Sequence, residues 1–343
     1  MCIRDRTYPL LDKYGRRARD LRVSLTDRCN LRCTYCMPAE GLEWFPTAET
    51  LSDEETIRLI RIGVEKLGIR QVRFTGGEPL LRKSLEKIVA ATKQLRTDEG
   101  KSPSTALTTN GLGLDRRIDG LVEAGLDRVN ISLDTTDREL YARLTRRDRI
   151  QDVFTAIEAA ARAGLHPVKV NAVVMPGINE DSIIPLAEYC IEQGAQLRFI
   201  EQMPLGPRDK WRREDMVTAD DILAHLGESF ELSPADEPRG SAPASLWNAY
   251  RGGRKIGQIG VIASVTRSFC GSCDRTRLTT DGAVRNCLFG NSETSLRDLM
   301  RAGASDEELM EAWAAEMWAK LPGHGVNDEG FLQPDRLMAA IGG

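Results

Sequence analysis

The chain has 343 residues, of which 41% are hydrophobic and 29% are charged, and its formal net charge is −4. This composition is ordinary for a soluble globular protein with one large domain, or with one domain and a substantial appendage. The small negative charge excludes the overall basic field typical of nucleic-acid-binding proteins, and no apolar run approaches the roughly 20 residues that a membrane-spanning helix needs.

The first two-thirds of the chain alternate short β-branched runs with amphipathic segments. We predict strands at 21–25, 71–75, 105–109, 128–133, 168–174 and 196–200. We predict helices at 52–67, 83–96, 116–124, 150–163 and 181–193, the first opening with a Ser52-x-x-Glu55 capping box. This alternation is typical of βαβ units around a parallel sheet. Six units are too few to close an eight-stranded barrel, so the prediction is an α/β fold with an incomplete (β/α)6 TIM-like barrel.

The pattern changes after about residue 205. Residues 233–243 are rich in proline, small and charged residues, which indicates a boundary between a core domain at 1–235 and a C-terminal domain at 236–343. Two short strands at 246–251 and 255–261 flank Gly252-Gly253, a hairpin signal. Residues 305–320 form an amphipathic helix whose Trp313 and Trp318 we interpret as packing residues.

Most of the cysteines fall into two triplets, Cys29-x3-Cys33-x2-Cys36 and Cys270-x2-Cys273-x13-Cys287. A structural zinc and a fully ligated iron–sulfur cluster each take four protein ligands. Three thiols per group therefore suggest two clusters, each with one iron open to a cofactor or a substrate. Disulfides are disfavoured because the N-terminus has no apolar region typical of a secretory signal, which places the chain in a reducing compartment.

The remaining cysteines lie outside the triplets. Cys190 falls in an apolar stretch and is interpreted as a buried small hydrophobe, while Cys2 has no informative context.

The first triplet resembles the signature of the radical S-adenosylmethionine (radical SAM) superfamily, and it follows the first predicted strand. The resemblance implies that Cys29, Cys33 and Cys36 hold a [4Fe–4S] cluster whose fourth iron chelates S-adenosylmethionine, and that one electron releases a 5′-deoxyadenosyl radical. It also implies cofactor contacts from Tyr35 (through its backbone), Gly77 in the GGEP turn, Ser132 and Met203.

Two arginines accompany the second triplet. Arg275 and Arg277 are two residues apart, so on a strand they would share a face next to the cysteines. A pair of guanidinium groups suits a polyanion or a purine edge, although an isolated pair of this kind is more often solvated surface.

Over residues 8–343 the chain resembles the MoaA family, the GTP 3′,8-cyclases of molybdenum cofactor biosynthesis. The resemblance rests on LRVSLTDRCNLRCTYCMP, RFTGGEPLLR, SFCGSCDRTRLTTDG and the terminal Gly342-Gly343. It implies a second [4Fe–4S] cluster on Cys270, Cys273 and Cys287, whose open iron contacts guanine. The residues that it assigns to GTP are Arg22, Arg73, Thr108, Lys169, Arg198, Arg275 and Arg277. It assigns catalytic roles to Arg275, Arg277, Gly342 and Gly343, and the absence of a GxxxxGK[ST] loop requires another mode of nucleotide binding.

The resemblance further implies partners and a location. These are a reduced flavodoxin- or ferredoxin-type electron donor, a functional link to cyclic pyranopterin monophosphate synthase (MoaC), a homodimer and a cytoplasmic location, with no nucleic acid or membrane partner. Two alternatives stay open at this stage: a radical SAM peptide-modifying enzyme with an auxiliary cluster, and a zinc-binding interaction module. Metal analysis would separate the zinc alternative from the iron–sulfur ones.

Overall fold

The centre of the fold is a row of parallel strands in chain order. The computed structural model describes residues 10–207, 211–336 and 338–342. The six central strands are β1 Asp20–Ser24, β2 Gln71–Thr75, β3 Ser104–Thr109, β4 Arg128–Ser132, β5 Lys169–Val174 and β6 Gln196–Glu201. Each pairs in parallel with the next, as the alternating pattern predicts. The predicted incomplete (β/α)6 barrel is confirmed.

The helices pack around these strands. They are α1 Asp53–Arg61, α2 Leu85–Gln94, α3 Ile118–Glu123, α4 Arg138–Thr145, α5 Ile150–Arg162, α6 Ile183–Glu192, α7 Ala219–Gly227, α8 Leu296–Arg301, α9 Asp306–Trp318 and α10 Met338–Ile341. The predicted capping box opens α1, where Ser52 Oγ accepts from Glu55 N at 3.1 Å and Glu55 Oε2 accepts from Ser52 N at 2.8 Å. Helices α4, α7, α8 and α10 were not predicted from the sequence, and each has nine residues or fewer.

The C-terminal half extends the same sheet at both edges. Its strands are β7 Glu231–Pro234, β8 Ser245–Arg251, β9 Arg254–Ile262, β10 Arg275–Leu278, β11 Ala283–Arg285 and β12 Thr294–Ser295. The 12-stranded order is β12-β11-β10-β1-β2-β3-β4-β5-β6-β9-β8-β7. Strand β9 runs parallel beside β6, and β10 runs parallel beside β1. The two ends of the six-stranded core are therefore both covered by later parts of the chain.

Local predictions in this half agree with the structure. Strands β8 and β9 form an antiparallel hairpin around Gly252 and Gly253, whose φ angles of +57° and +72° suit glycine. Trp313 is fully buried and its Nε1 donates to Thr276 Oγ1 at 3.0 Å, so it is a packing residue. The proposed domain boundary at 235 falls between β7 and β8, which are neighbours in the sheet.

Alternation along the strands separates two environments. On β1, Leu21 and Val23 are buried against the helices, whereas Arg22 points into the barrel. Cys190 is completely buried in the outer core, as expected. In the part of the chain that the structure describes, no helix has the length and apolar character needed to cross a membrane.

Candidate active site

A cavity of about 280 Å³ opens inside the barrel. Most of the predicted site residues line it: Arg22, Tyr35, Arg73, Thr108, Ser132, Arg198, Met203, Cys270, Cys273, Arg275, Arg277 and Cys287. Because β9 and β10 flank the six-stranded core, the second cysteine triplet closes the side that six strands leave open. The fold therefore brings the two halves of the predicted site together around one space.

Three arginines on adjacent strands form the basic wall of this cavity. Arg22 on β1 is in register with Arg73 on β2 and with Arg277 on β10. Arg275 lies one inward step before Arg277 and is 6% exposed. Strand β10 therefore places Arg275 and Arg277 on one face, as the sequence predicts.

Arg275 and Arg277 are buried and Arg22 and Arg73 are half-buried, and Asp20, 3.9 Å from Arg22 Nε, is the one ion-pair partner found for these four in the described residues. Burial and the nearby charges of Arg277 and Arg73 lower the pKa of Arg22 well below its usual value. Burial lowers the pKa of Arg277 to about 10. The Nε atoms of Arg22, Arg73 and Arg275 are buried and make no hydrogen bond in the described residues. Burying cations that lack enough compensating negative charge is costly, so we expect this basic wall to bind an anion.

Lys169 and Arg198 extend the positive charge across the barrel. Arg198 on β6 lines the cavity, and burial and the charge of Arg73 lower its pKa to about 10. Lys169 does not line the cavity, although it shares the inward face of β5 with Asn171, which does. Burial and the charge of Arg198 lower the pKa of Lys169 to about 7. Lys169 thus lies one inward position before Asn171 on β5, outside the set of residues that line the cavity.

The first triplet occupies the loop after β1. Cys29 Sγ accepts from Leu31 N at 3.5 Å and from Asn110 Nδ2 at 3.8 Å. Burial raises the pKa of Cys29 and Cys33, and burial together with the charge of Cys29 raises the pKa of Cys36 to about 12. Three half-buried thiols that repel one another as thiolates would need a positive partner, and the irons of a cluster provide one.

The GGEP turn holds this loop in place. A Cβ on Gly77 would lie 2.3 Å from the carbonyl oxygen of Arg28, so only glycine fits this close approach. The next residue, Glu78, is fully buried and accepts from Asn110 N and Thr109 Oγ1, both at 2.7 Å. Through Asn110 the turn reaches the sulfur of Cys29.

Tyr35 joins the first triplet to the ends of two strands. Its hydroxyl donates to Asp134 Oδ2 at 2.8 Å, and Asp134 Oδ1 accepts from Val173 N at 2.8 Å. Burial raises the pKa of Asp134 to about 6. The predicted backbone contact of Tyr35 with adenine stays a prediction, while the side chain has this anchoring position.

The second triplet lies around β10 and β11. Cys270 and Cys273 precede β10, and Cys287 follows β11. Burial raises the pKa of Cys270. Burial also acts on Cys273, but the charges of Lys320 and Arg275 outweigh it and lower the pKa of Cys273 to about 7. This thiol is thus prepared for the thiolate form in which cysteine binds metals.

The spacing of the thiols also bears on what they could hold. Within residues 10–207, 211–336 and 338–342, no three histidine, cysteine or acidic side chains converge on a single-ion site. A four-iron cluster binds each thiolate through a different iron, so its ligands do not need to converge on one point.

The C-terminal tail enters the barrel. Ser24 Oγ donates to the carbonyl oxygen of Ile341 at 2.9 Å, and Arg277 Nη1 donates to the carbonyl oxygen of Gly342. Gly342 has φ +80°, and a Cβ there would lie 2.2 Å from Ser24 Oγ. The backbone of Gly342 therefore lies in a space too narrow for a side chain, whereas Gly343 lies outside the described residues.

Several cavity residues were missed by sequence reasoning. Asn130 and Asn171 occupy inward positions of β4 and β5, so the period of two along predicted strands could have found them. Phe269, Phe289 and His324 come from loops of the C-terminal half, where no periodic pattern marks them.

Comparisons with known proteins agree with this arrangement. The family model for the radical SAM superfamily matches residues 23–190, and the model for Molybdenum Cofactor Synthesis C matches residues 195–326. A protein of Corynebacterium glutamicum (strain R) named GTP 3′,8-cyclase is 70% identical over 97% of this chain and 89% of its own length. A Mycobacterium marinum protein of the same name is 57% identical over 98% of this chain and 92% of its own length.

Solved structures share the fold at low identity. Native anSMEcpe with bound AdoMet has a TM-score of 0.57 at 16% identity, covering 84% of this chain and 82% of that one. Streptococcus suis SuiB bound to S-adenosylmethionine has a TM-score of 0.56 at 14% identity, covering 97% and 75%. The high identity to named relatives over nearly the whole length, together with both family models, is decisive: the chain belongs to the GTP 3′,8-cyclase family of the radical SAM superfamily.

Proposed function

We propose that this protein converts GTP to (8S)-3′,8-cyclo-7,8-dihydroguanosine 5′-triphosphate, the first step of molybdenum cofactor biosynthesis. The observation that supports this most strongly is the single cavity lined by buried, incompletely paired arginines and by the second cysteine triplet. A nucleoside triphosphate supplies the negative charge that these arginines lack. The relatives named GTP 3′,8-cyclase point to the same substrate.

The positive charge of the basic wall complements the negative charge of the triphosphate. Arg22, Arg73 and Arg277 lie side by side on three strands, and a hydrogen bond to a charged group typically contributes about 1.5–3 kcal/mol. Arg198 and Thr108 line the same cavity, with Lys169 behind them. In this proposal the guanine base lies toward Cys270, Cys273 and Cys287.

Membership of the radical SAM superfamily implies a [4Fe–4S] cluster and S-adenosylmethionine. In the proposal Cys29, Cys33 and Cys36 hold that cluster, and Tyr35, Gly77, Ser132 and Met203 contact the cofactor. Bound there, S-adenosylmethionine supplies a radical that can remove a hydrogen atom from a ribose carbon. The second triplet holds a second [4Fe–4S] cluster, which the lowered pKa of Cys273 favours.

The wider setting of the reaction is also part of the proposal and follows from the family alone. It comprises a flavodoxin- or ferredoxin-type electron donor, transfer of the product to cyclic pyranopterin monophosphate synthase, a homodimer and a cytoplasmic location. The division into domains at 1–235 and 236–343 is proposed as well, and it rests on the composition of residues 233–243.

The activity is tested by incubating anaerobically reconstituted protein with GTP, S-adenosylmethionine and a strong reductant. We expect 5′-deoxyadenosine together with a new nucleotide that has the mass of GTP, because the cyclisation is an isomerisation overall. ATP in place of GTP should give no cyclised product. Formation of 5′-deoxyadenosine without any new nucleotide would contradict the proposal.

Replacing Gly342 with alanine should suppress GTP-dependent formation of 5′-deoxyadenosine. The new Cβ would collide with Ser24 Oγ, and the alanine would have to keep an unfavourable positive φ. The tail would therefore withdraw, and Arg277 would lose its carbonyl partner. Strain and collision of about 1–3 kcal/mol at this position would depopulate the inserted tail roughly ten- to hundredfold, and activity should fall with it. Quantitative chromatography of 5′-deoxyadenosine measures the effect, and iron content should not change.

Gly303→Ala is the matched control for this variant. Gly303 has φ +93°, but no atom lies within 4 Å of a Cβ built there, so it shares the strain without the collision. Its activity should be close to that of the unmodified protein. Full activity in Gly342→Ala would show that the position of the tail does not matter for turnover.

A further inference from the structure

Lys320 is a buried cation directly beside the second cysteine triplet. It follows α9 and is 4% exposed. Its Nζ lies 3.4 Å from Cys273 Sγ and donates to the carbonyl oxygen of Arg275 at 2.9 Å. Among the ion pairs found in the described ranges, none involves Lys320, so Cys273 Sγ, once it is a metal-bound thiolate, would be the anion beside this buried charge.

A second cation reaches the same sulfur. Arg275 Nη1 lies 3.6 Å from Cys273 Sγ. The first triplet differs, because the hydrogen bonds to Cys29 Sγ come from the neutral groups Leu31 N and Asn110 Nδ2. Charged donors therefore reach Cys273 in the second triplet, whereas the donors to Cys29 in the first triplet are neutral.

The two cations have different further roles. Arg275 lines the cavity and is proposed to contact substrate, whereas Lys320 does not line it. Lys320 also fixes the start of β10, since it binds the carbonyl oxygen of the strand's first residue. It is therefore placed to act on the metal centre without touching GTP.

We propose that Lys320 is a positioning residue that raises the reduction potential of the second iron–sulfur cluster. Reduction adds negative charge to a cluster, and a fixed cation hydrogen-bonded to a ligand sulfur stabilises that added charge. The role rests on the proposed function, because it requires a cluster at Cys270, Cys273 and Cys287. Its consequence is that the second cluster holds an electron more readily than it would with neutral donors alone.

The test is a redox titration of the second cluster followed by electron paramagnetic resonance. The full-length chain carrying Cys29→Ala, Cys33→Ala and Cys36→Ala isolates this cluster, and Lys320→Met is added to it. We expect the midpoint potential to become more negative, by an amount equal to roughly a tenfold change in the reduced fraction, or about 59 mV for one electron. Lys320→Arg should restore most of the original value, because it keeps the charge.

Controls separate this inference from the proposed function. Lys255→Met removes an exposed lysine on β9 and should leave the potential unchanged. Absence of iron at the second triplet in the chain with native Lys320 would refute the proposed second cluster itself. An unchanged potential in Lys320→Met with its iron retained would overturn the role of Lys320 alone.

A variant that loses iron is also decisive. If the Lys320→Met variant does not hold the cluster, the titration is carried out on Lys320→Gln instead, because glutamine keeps a hydrogen-bond donor but removes the charge. If neither variant retains iron, Lys320 is needed to build the site and the tuning role is refuted.

Discussion

Replacing Cys29, Cys33 and Cys36 together with alanine should abolish cleavage of S-adenosylmethionine and leave about four of about eight irons in the protein. The three thiols lie in one loop, where burial raises their pKa values, so a positive partner would be required to hold them as thiolates. Without them no other cysteine is available on that side of the cavity in the described residues. Iron and sulfide analysis and an assay for 5′-deoxyadenosine measure both effects.

The reciprocal variant, with Cys270, Cys273 and Cys287 replaced by alanine, is the control. It should retain a similar amount of iron and remain able to cleave S-adenosylmethionine, but it should form no cyclised nucleotide. Cyclisation of GTP at the normal rate by this variant would show that the second triplet does not hold the substrate.

Replacing Arg275 and Arg277 together with methionine should reduce kcat/KM for GTP by at least a hundredfold. Each lost charge-assisted contact costs about 1.5–3 kcal/mol, which is roughly ten- to hundredfold. The fold should tolerate the change, since both side chains are buried beside other cations and removing them relieves repulsion as well as desolvation. Steady-state kinetics, iron content and a melting curve separate the two effects.

Arg138→Met with Arg162→Met provides the surface control for this pair. These arginines lie on the outer helices α4 and α5, and their side chains are 75% and 70% exposed. The control should keep normal kinetics. An unaltered kcat/KM in the Arg275 and Arg277 variant would return those arginines to the solvated-surface interpretation.

Much of the fold was predictable because its signals are local. Strands β1 to β6 follow from β-branched runs between amphipathic segments, and every predicted end lies within one residue of the end in the structure. The inward direction of Arg22 and Arg73 then follows from the period of two along a strand, because Leu21 and Val72 must face the helices. Local patterns therefore located most of the basic wall.

The remaining features of the fold and of the site depend on contacts between residues far apart in the chain. Nothing in the sequence pattern says that β10 pairs with β1 while β9 pairs with β6, although this arrangement brings Cys270 and Cys273 to the cavity. The position of Lys320 against Cys273 also has no local signal. The absence of Lys169 from the cavity lining shows the same limit, since strand alternation fixes its direction but not its access to a ligand.

The proposed cyclisation of GTP is tested most directly by following the hydrogen on the ribose 3′ carbon. The protein is incubated anaerobically with GTP deuterated at that carbon, S-adenosylmethionine and reductant, and the products are analysed by mass spectrometry. The proposed function predicts one deuterium in 5′-deoxyadenosine and none at that carbon in the cyclised nucleotide. Unlabelled 5′-deoxyadenosine, with the deuterium retained in the nucleotide, would contradict it.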